Sequence, residues 1–260
     1  PIRAAEVGVL ASLGLNSARF IRRPLVSILA TGDELSPAGK PLNPGKIYDS
    51  NSFSVAASVL AAGGIPRLLG VAQDNLEDLH AKLREADGSD LVITSAGVSK
   101  GDYDIVKDVL TARGEINFWS VRMRPAKPLA FGVITAADGK QMPLLGLPGN
   151  PVSAMVAFEM FARPAIRRMM GLRRLDRPMV EGVLTGPIHN YDGRRVYARV
   201  EVSRKDGVYY ANPAGPQGSN ILTSMSRANG LAVCPEDLPK KNKGETVQIL
   251  MLDWNEEVDL

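Results

Sequence analysis

The segment from Ser95 to Asp104 combines the residue types that proteins use to hold phosphate. Gly97 and Gly101 allow backbone N–H groups to face a ligand, and Ser95 and Ser99 add hydroxyl donors just before a predicted helix. The segment also follows a predicted strand, which is the usual position of a phosphate-binding loop. These residues are therefore the first candidates for substrate binding.

Asp104 has two candidate roles at the end of this loop. A carboxylate at a helix N-terminus accepts hydrogen bonds from unpaired backbone N–H groups and so caps the helix. The same carboxylate could hold Mg²⁺ against bound phosphates, because hard cations prefer oxygen ligands. The residues alone leave both interpretations open.

The Gly97–Gly101 segment also matches the G-x-S-x-G pattern of a hydrolase nucleophile elbow. A catalytic triad would need a downstream histidine, but the later histidine, His189, lies in a β-rich region rather than in a loop of the predicted sheet. The hydrolase interpretation is therefore disfavoured.

Two nucleotide-binding motifs are excluded. A Walker loop is excluded because Gly39–Lys46 has the wrong spacing, and the dinucleotide-binding G-x-G-x-x-G pattern is absent after the first predicted strand.

Further loops follow predicted strands at the edge where doubly wound sheets bind ligands. They are rich in Asp, Asn, Gly and Pro, which also favour ordinary turns. Ordinary turn chemistry therefore stays an equal alternative for Asp33 and Asp74. These loops are Thr31–Leu35, Gln73–Asn75 and Leu147–Ser153.

Basic residues cluster in the segment Arg122–Pro128, where prolines stiffen the backbone around Arg124 and Lys127. Cations on a rigid turn suit a bound oxyanion better than they suit solvent. A solvated basic turn is the alternative. In the β-rich region that follows, further candidates for an anion contact are Arg194, Arg195, Arg199 and the hydroxyl-rich stretch from Gly218 to Ser226.

The chain from Val26 to Met170 alternates predicted strands and helices. This order is typical of a three-layer α/β domain, with a mostly parallel sheet between helices. Asn51 or Ser52 is expected to cap the first helix. The predicted strands are Val26–Thr31, Arg67–Val71, Asp90–Ser95, Ile116–Val121, Leu129–Thr135 and Pro143–Gly146, and the helices are Ser50–Ala62, Leu76–Ala86, Asp104–Ala112 and Pro151–Met170.

After Gly171, short β-branched or alternating runs without helical periodicity predict a small all-β domain. The arginine-rich segment Leu172–Pro178 is the expected boundary. The predicted domains are therefore residues 24–171 and 172–260. Residues 1–23 are expected to be the end of a connector from a missing N-terminal region.

The composition limits the classes of partner and compartment. The net charge of +3 is too small to indicate nucleic-acid binding. The single cysteine, Cys234, excludes an intramolecular disulfide framework and indicates a reducing, cytoplasmic environment. No window approaches the roughly 20 clean apolar residues of a membrane span, so no membrane association is expected.

Taken together, these loops resemble the MoeA-type molybdopterin molybdenumtransferase family, which is related to the gephyrin E domain. The resemblance covers nearly the whole chain, and it implies a molybdopterin-binding α/β domain followed by a small β domain. It also implies an enzyme that inserts molybdate into adenylylated molybdopterin with Mg²⁺ and releases AMP, and a homodimer when full length. The matching segments are TGDEL at Thr31–Leu35, Ser95–Asp104, Lys127–Pro128, LPGNPVSA at Leu147–Ala154, and Gln217–Asn229.

The resemblance also implies roles for particular residues. Glu34, Asp74 and Asp104 match the family's functional carboxylates, and Arg199 and Ser224 match positions at the molybdate end of its pocket. From the residues and the resemblance together, the predicted substrate-binding set is Ser95, Gly97, Ser99, Gly101, Arg124, Lys127, Pro128, Pro148, Gly149, Asn150, Ser153, Arg199 and Ser224.

Two functions other than the transferase are compatible with this fold. The same fold could serve as a non-catalytic pterin-binding or scaffold module, although retained acids at Glu34, Asp74 and Asp104 favour the enzyme. An adenylyltransferase of similar fold is disfavoured by the long β tail after Gly171. Arg124 and Ala126 stand where this family usually has lysine and glycine, and arginine donates hydrogen bonds with a different geometry from lysine.

Overall fold

The computed structural model describes residues 2–73, 75–95 and 114–254, which form two large β-sheets and the helices packed around them. Among the described residues, no helix has both the length and the apolar character needed to cross a membrane. The helices are α1 (Ala4–Ser12), α2 (Asn51–Ala61), α3 (Leu76–Glu85), α4 (Pro151–Ala157), α5 (Arg163–Met169) and α6 (Leu222–Arg227). The strands are β1 (Leu25–Thr31), β2 (Leu35–Ser36), β3 (Ile47–Tyr48), β4 (Ile65–Ala72), β5 (Leu91–Ser95), β6 (Gly114–Ser120), β7 (Met123–Arg124), β8 (Pro128–Thr135), β9 (Gln141–Leu147), β10 (Met179–Leu184), β11 (Ile188–His189), β12 (Arg195–Lys205), β13 (Val208–Pro213), β14 (Gly230–Cys234), β15 (Lys240–Lys241) and β16 (Thr246–Met251).

The first sheet has the strand order β4-β1-β5-β9-β8-β6. Strands β4, β1, β5 and β9 run parallel, which confirms the predicted mostly parallel sheet. Strands β8 and β6 run antiparallel to their neighbours. The connections 121–127 and 136–140 explain this difference, because a parallel crossover needs about a dozen residues or more.

Helices cover both faces of this sheet, as the sequence predicts. Alternate residues of β5 point to opposite faces, so Ile93 packs in one buried cluster with Val59 of α2, while Val92 packs in another with Leu79 of α3. A sheet buried on both sides explains why its central strands are apolar almost throughout.

The long helix predicted from Pro151 to Met170 is present, but it changes geometry in the middle. A π-helical turn, Phe158–Ala162, joins α4 to α5. Pro164 follows this turn, where an uninterrupted α-helix would lose a hydrogen bond and place the proline ring against a carbonyl one turn earlier. The wider π-turn accommodates the proline without ending the helix.

The second sheet has the order β13-β10-β16-β14-β12-β7, and an additional pairing of β13 with β12 closes it on itself. It confirms the predicted small β domain, with one added element, the short helix α6. Met225 of α6 packs into the buried cluster beneath the first sheet, so tertiary packing stabilises a helix too short to form alone.

The two parts of the chain share a strand pairing. Strand β7 lies in the connection between β6 and β8, yet it pairs with the start of β12, with Met123 opposite Arg195. The division into residues 24–171 and 172–260 stays a prediction. The pairing fixes one turn of the first part directly against the second sheet.

A bidentate ion pair anchors the segment that precedes β1. Arg22 donates to both carboxylate oxygens of Asp90 at 2.5 and 2.6 Å, and the same carboxylate accepts from the Leu25 N–H at 2.8 Å. The Arg22 guanidinium holds the pKa of Asp90 below its ordinary value. A carboxylate whose pKa is lower in the folded than in the unfolded protein stabilises the fold at pH values above its unfolded pKa. This contribution is lost as the pH falls through the folded pKa.

We expect Asp90→Asn to lower the free energy of unfolding by about 1–2 kcal/mol at pH 7, because it removes the charge that pairs with exposed Arg22. The deficit should shrink as the pH falls below the ordinary pKa of an aspartate, and it should disappear once the pH passes the lowered pKa of folded Asp90, where the wild-type carboxyl is also protonated. Denaturant unfolding across pH measures this, with the exposed Asp176→Asn as the control. A deficit that is independent of pH would contradict the ion-pair account.

Candidate functional site

The strand order places a crevice between the carboxyl ends of β1 and β5. From β1 the chain turns to β4 on one side, whereas from β5 it continues to strands on the other side. Such a reversal leaves the space above the two strand ends open, and ligands of doubly wound sheets bind there. Ala30 of β1 pairs with Ser95 of β5, so the loop after Thr31 begins beside Ser95.

Asn51 joins two of the predicted ligand-binding segments at this edge. Its side-chain Nδ2 donates to Ser95 Oγ at 2.8 Å and to the Gly149 carbonyl oxygen at 2.7 Å. The predicted capping by Asn51 or Ser52 is therefore wrong, because Asp49 Oδ1 instead accepts from the Ser52 N–H at 3.0 Å. The first residue of α2 thus holds the ends of β5 and β9 together.

Several buried oxygens near this edge have no hydrogen-bond partner within the part of the chain that the structure describes. Buried polar groups are normally paired, so each unpaired atom has bonding capacity left for a ligand or water. Those at or next to the ends of β1 and β5 and in the first turn of α2 are Thr31 Oγ1, Thr94 Oγ1, Asn51 Oδ1 and Ser52 Oγ.

Glu34 lies at the same edge, in the turn after β1. Gly32 has φ +142°, and a Cβ at that position would lie 2.6 Å from Glu34 Oε2, so the carboxylate folds back against the glycine backbone. The Gly32 N–H approaches the Ala72 carbonyl oxygen at 3.4 Å, which brings this turn beside the end of β4. Glu34 itself is exposed and can meet a ligand.

The loop before α4 connects this edge to the second sheet. Pro148 and Ser153 are buried, while Gly149 and Asn150 are exposed. The Val152 N–H donates to the Ser219 carbonyl oxygen at 3.1 Å. The predicted segments around Asn150 and Ser219 are therefore in direct contact.

Arg199 and Ser224 are brought together, but they bond to each other and to the protein backbone. Arg199 is 1% exposed, its Nε donates to Ser224 Oγ at 3.0 Å, and its Nη2 donates to the carbonyl oxygens of Pro216 and Gly218, each at 3.0 Å. Burial lowers the pKa of Arg199 to about 10, so the guanidinium stays charged at neutral pH. These contacts hold the loop that reaches Ser219.

Arg124 also bonds to protein groups. It donates to the His189 carbonyl oxygen, lies 3.8 Å from Asp192 Oδ2 and stacks over the Tyr191 ring at 5.7 Å. These contacts attach the β7 turn to β11 and to the segment that follows it. Lys127, on the same turn, is exposed, and Pro128 begins β8.

A cavity of about 360 Å³ is enclosed by the β7 turn, β11 and β12. Its wall includes Arg124, Tyr191, Tyr197, Arg199 and Gln217. Arg194 holds the pKa of neighbouring Asp192 below its ordinary value, with a smaller contribution from Arg124. The wall of the cavity thus combines two tyrosine rings with Arg124 and Arg199, the arginines for which the sequence predicted anion contacts.

The comparisons with known proteins agree with this architecture. Residues 27–168 match the family described as a probable molybdopterin binding domain, and residues 181–252 match the MoeA C-terminal region, domain IV. The chain belongs to the MoeA-type molybdopterin molybdenumtransferase family. Residues 27–168 of this MoeA-type chain contain the crevice at the switch point, where the strand order reverses between β1 and β5. They also contain the Asn51 bridge, meaning the hydrogen bonds from Asn51 to Ser95 and Gly149. Residues 181–252 contain Arg199 and Ser224.

Related proteins match almost all of this MoeA-type chain. It is 37% identical over 255 residues to molybdopterin molybdenumtransferase 2 of Mycobacterium tuberculosis, covering 95% of this chain and 61% of that protein. It is 38% identical over 255 residues to molybdopterin molybdenumtransferase of a Nostoc species, covering 96% and 58%. The crystal structure of the MoeA protein of Pyrococcus horikoshii aligns with a TM-score of 0.79 at 29% identity, covering 97% and 60%. This MoeA-type chain thus spans about three fifths of the length of those relatives.

Other predicted residues lie outside the described part of this MoeA-type chain: Asp74, Gly97, Ser99, Gly101 and Asp104. Within the described ranges, no group of three or more His, Cys, Asp or Glu side chains could hold a metal ion. Mg²⁺ usually takes only one or two carboxylates beside substrate phosphates and water. The assignment of Asp104 as the metal ligand therefore stays a prediction.

We expect Arg199→Lys to lower the free energy of unfolding by about 1–3 kcal/mol, because a lysine cannot reproduce the planar set of bonds to Ser224, Pro216 and Gly218. Thermal unfolding measures this, and the exposed Arg227→Lys is the matched control. Equal melting temperatures for the two variants would show that the buried guanidinium does not hold this loop.

Proposed function

We propose that this chain carries the activity of a molybdopterin molybdenumtransferase. In this proposal it binds adenylylated molybdopterin and molybdate, inserts the metal oxyanion into the pterin, and releases AMP. Family membership and the transferase activity named for its relatives support the assignment. The observation that carries it is the Asn51 bridge, which gathers Ser95 and the Gly149 loop at the switch point.

The chemistry of this edge suits a phosphorylated ligand. Phosphate and molybdate are oxyanions that need N–H, hydroxyl or cationic donors. Ser95 offers a hydroxyl, and exposed Lys127 offers a cation. Loops held by Asn51 and by the contact of Val152 with Ser219 would orient the ligand, and positioning of this kind lowers the barrier to transfer.

The donor set is also compatible with a hard cation. Glu34 is an exposed carboxylate at the edge of the crevice. Asp104, at the end of the predicted phosphate-binding segment, would supply a second carboxylate. When bound, Mg²⁺ would neutralise phosphate charge. In this proposal Asp104 is its ligand, and Glu34 and Asp74 are the other functional carboxylates.

The wider setting belongs to the same proposal. We place the protein in the cytoplasm and, when full length, in a homodimer. We assign Arg199 and Ser224 to supporting the loop beside the molybdate end rather than to direct contact, because their described bonds go to each other and to backbone carbonyls.

The proposal predicts that Asp104→Asn will abolish Mg²⁺-dependent AMP release while the melting temperature stays unchanged. The substitution removes a charged metal ligand but keeps the side-chain shape and an oxygen that can cap a helix. AMP release from adenylylated molybdopterin with molybdate is the assay, and Asp138→Asn on an exposed turn is the control. Wild-type turnover would refute the metal role, and a large loss of melting temperature would favour the capping role.

We also expect Lys127→Ala to weaken binding of adenylylated molybdopterin by about 1.5–3 kcal/mol, the scale of a charge-assisted hydrogen bond. Its melting temperature should barely change, because Lys127 is exposed. Calorimetric titration measures the affinity, with the exposed Lys205→Ala as the control. If both variants bind like the wild type, Lys127 is an ordinary solvated lysine.

A further inference from the structure

The orientation of the Asn51 carboxamide follows from its partners. The Gly149 carbonyl oxygen can only accept, so the Asn51 atom 2.7 Å from it must be the donor Nδ2. The other contact of the same nitrogen is Ser95 Oγ at 2.8 Å. Both amide hydrogens are therefore committed to the protein, and Oδ1 is left as the unused end of the carboxamide.

The burial of Asn51 makes this unused acceptor informative. The residue is only 9% exposed, and Oδ1 has no hydrogen-bond partner among the described residues. Buried carbonyl oxygens are seldom left unpaired, because losing water without gaining a partner is costly. The Nδ2 bonds prevent the amide from rotating to find another partner.

Ser95 adds a donor beside this acceptor. Its oxygen accepts from Asn51 Nδ2, so its own O–H hydrogen points to another partner. The edge of β5 thus presents an O–H donor and a carbonyl acceptor side by side. This pair is complementary to a ligand that offers both an oxyanion and an N–H or O–H group, rather than to an inorganic anion alone.

We propose that Asn51 is a substrate-binding residue, whose Oδ1 accepts a hydrogen bond from an N–H or O–H group of the bound pterin nucleotide. This inference rests on the proposed function and extends it from anion binding to recognition of a neutral donor. A ribose hydroxyl and a pterin amine share the required chemistry. Asn51 also positions Ser95 and Gly149, so its test must separate binding from support.

The test compares ligands that differ by one donor. Affinities for AMP, 2′-deoxy-AMP and 3′-deoxy-AMP examine the ribose, and affinities for pterin and lumazine, which lacks the 2-amino group, examine the pterin. For the wild type, one analogue should bind about 10-fold more weakly than its parent, the scale of one neutral hydrogen bond. For Asn51→Ala, that ratio should fall to about 1. The analogue that shows the effect identifies the source of the donor.

Two further variants separate recognition from support. Ser95→Ala keeps Asn51 Oδ1, so it should bind every ligand more weakly but keep the wild-type ratio. Asn51→Asp keeps an acceptor oxygen but loses the donor to Gly149, so it should melt earlier than the wild type and still discriminate between the ligands. It also keeps the test decisive if Asn51→Ala does not fold.

Ratios that are the same in the wild type and Asn51→Ala would overturn the inference, as would loss of discrimination in Asn51→Asp despite measurable binding. A wild type that binds neither AMP nor pterin would also overturn it, because Oδ1 would then meet no ligand donor. The proposed function is judged separately, by AMP release from adenylylated molybdopterin.

Discussion

A continuous set of hydrogen bonds connects the edge of the first sheet to the second sheet, and the candidate site depends on it. Asn51 joins Ser95 to the Gly149 loop, and that loop contacts the segment of Ser219 through the Val152 N–H. The buried guanidinium of Arg199 fixes this segment by donating to the carbonyl oxygens of Pro216 and Gly218. Hydrogen bonds between loops restrict the loop conformations more than the loop sequences would alone. The protein can therefore position a ligand with little loss of conformational freedom on binding.

Much of the fold follows from the sequence because its physical causes are local. Apolar runs such as Val26–Thr31 predict buried strands, and their alternation with helices predicts a sheet covered on both faces. The antiparallel direction of β8 follows from its short connections to β6 and β9. The lengths of these connections can be read from the sequence only if the ends of the strands are predicted accurately. Helix α6 depends on burying Met225 against the first sheet, and no local pattern predicts such a contact.

The site was predictable to a lesser extent. The sequence identifies the loops because glycine, serine and aspartate in them suit phosphate, and strand order brings Ser95 and Gly149 to one edge as expected. It does not show that Arg124 and Arg199 bond to carbonyl oxygens, because the guanidinium suits a backbone carbonyl as well as an oxyanion. Asn51 or Ser52 was expected to cap α2, and the longer-range partners of Asn51 are visible only in the folded structure.

The most direct test is a crystal structure of this chain with adenylylated molybdopterin. We expect the nucleotide phosphates to lie in the crevice between the ends of β1 and β5, within hydrogen-bonding distance of Ser95 and beside the Gly149 loop. Phosphates bound instead in the cavity between Arg124 and Gln217, with the crevice edge making no contact to the ligand, would contradict it.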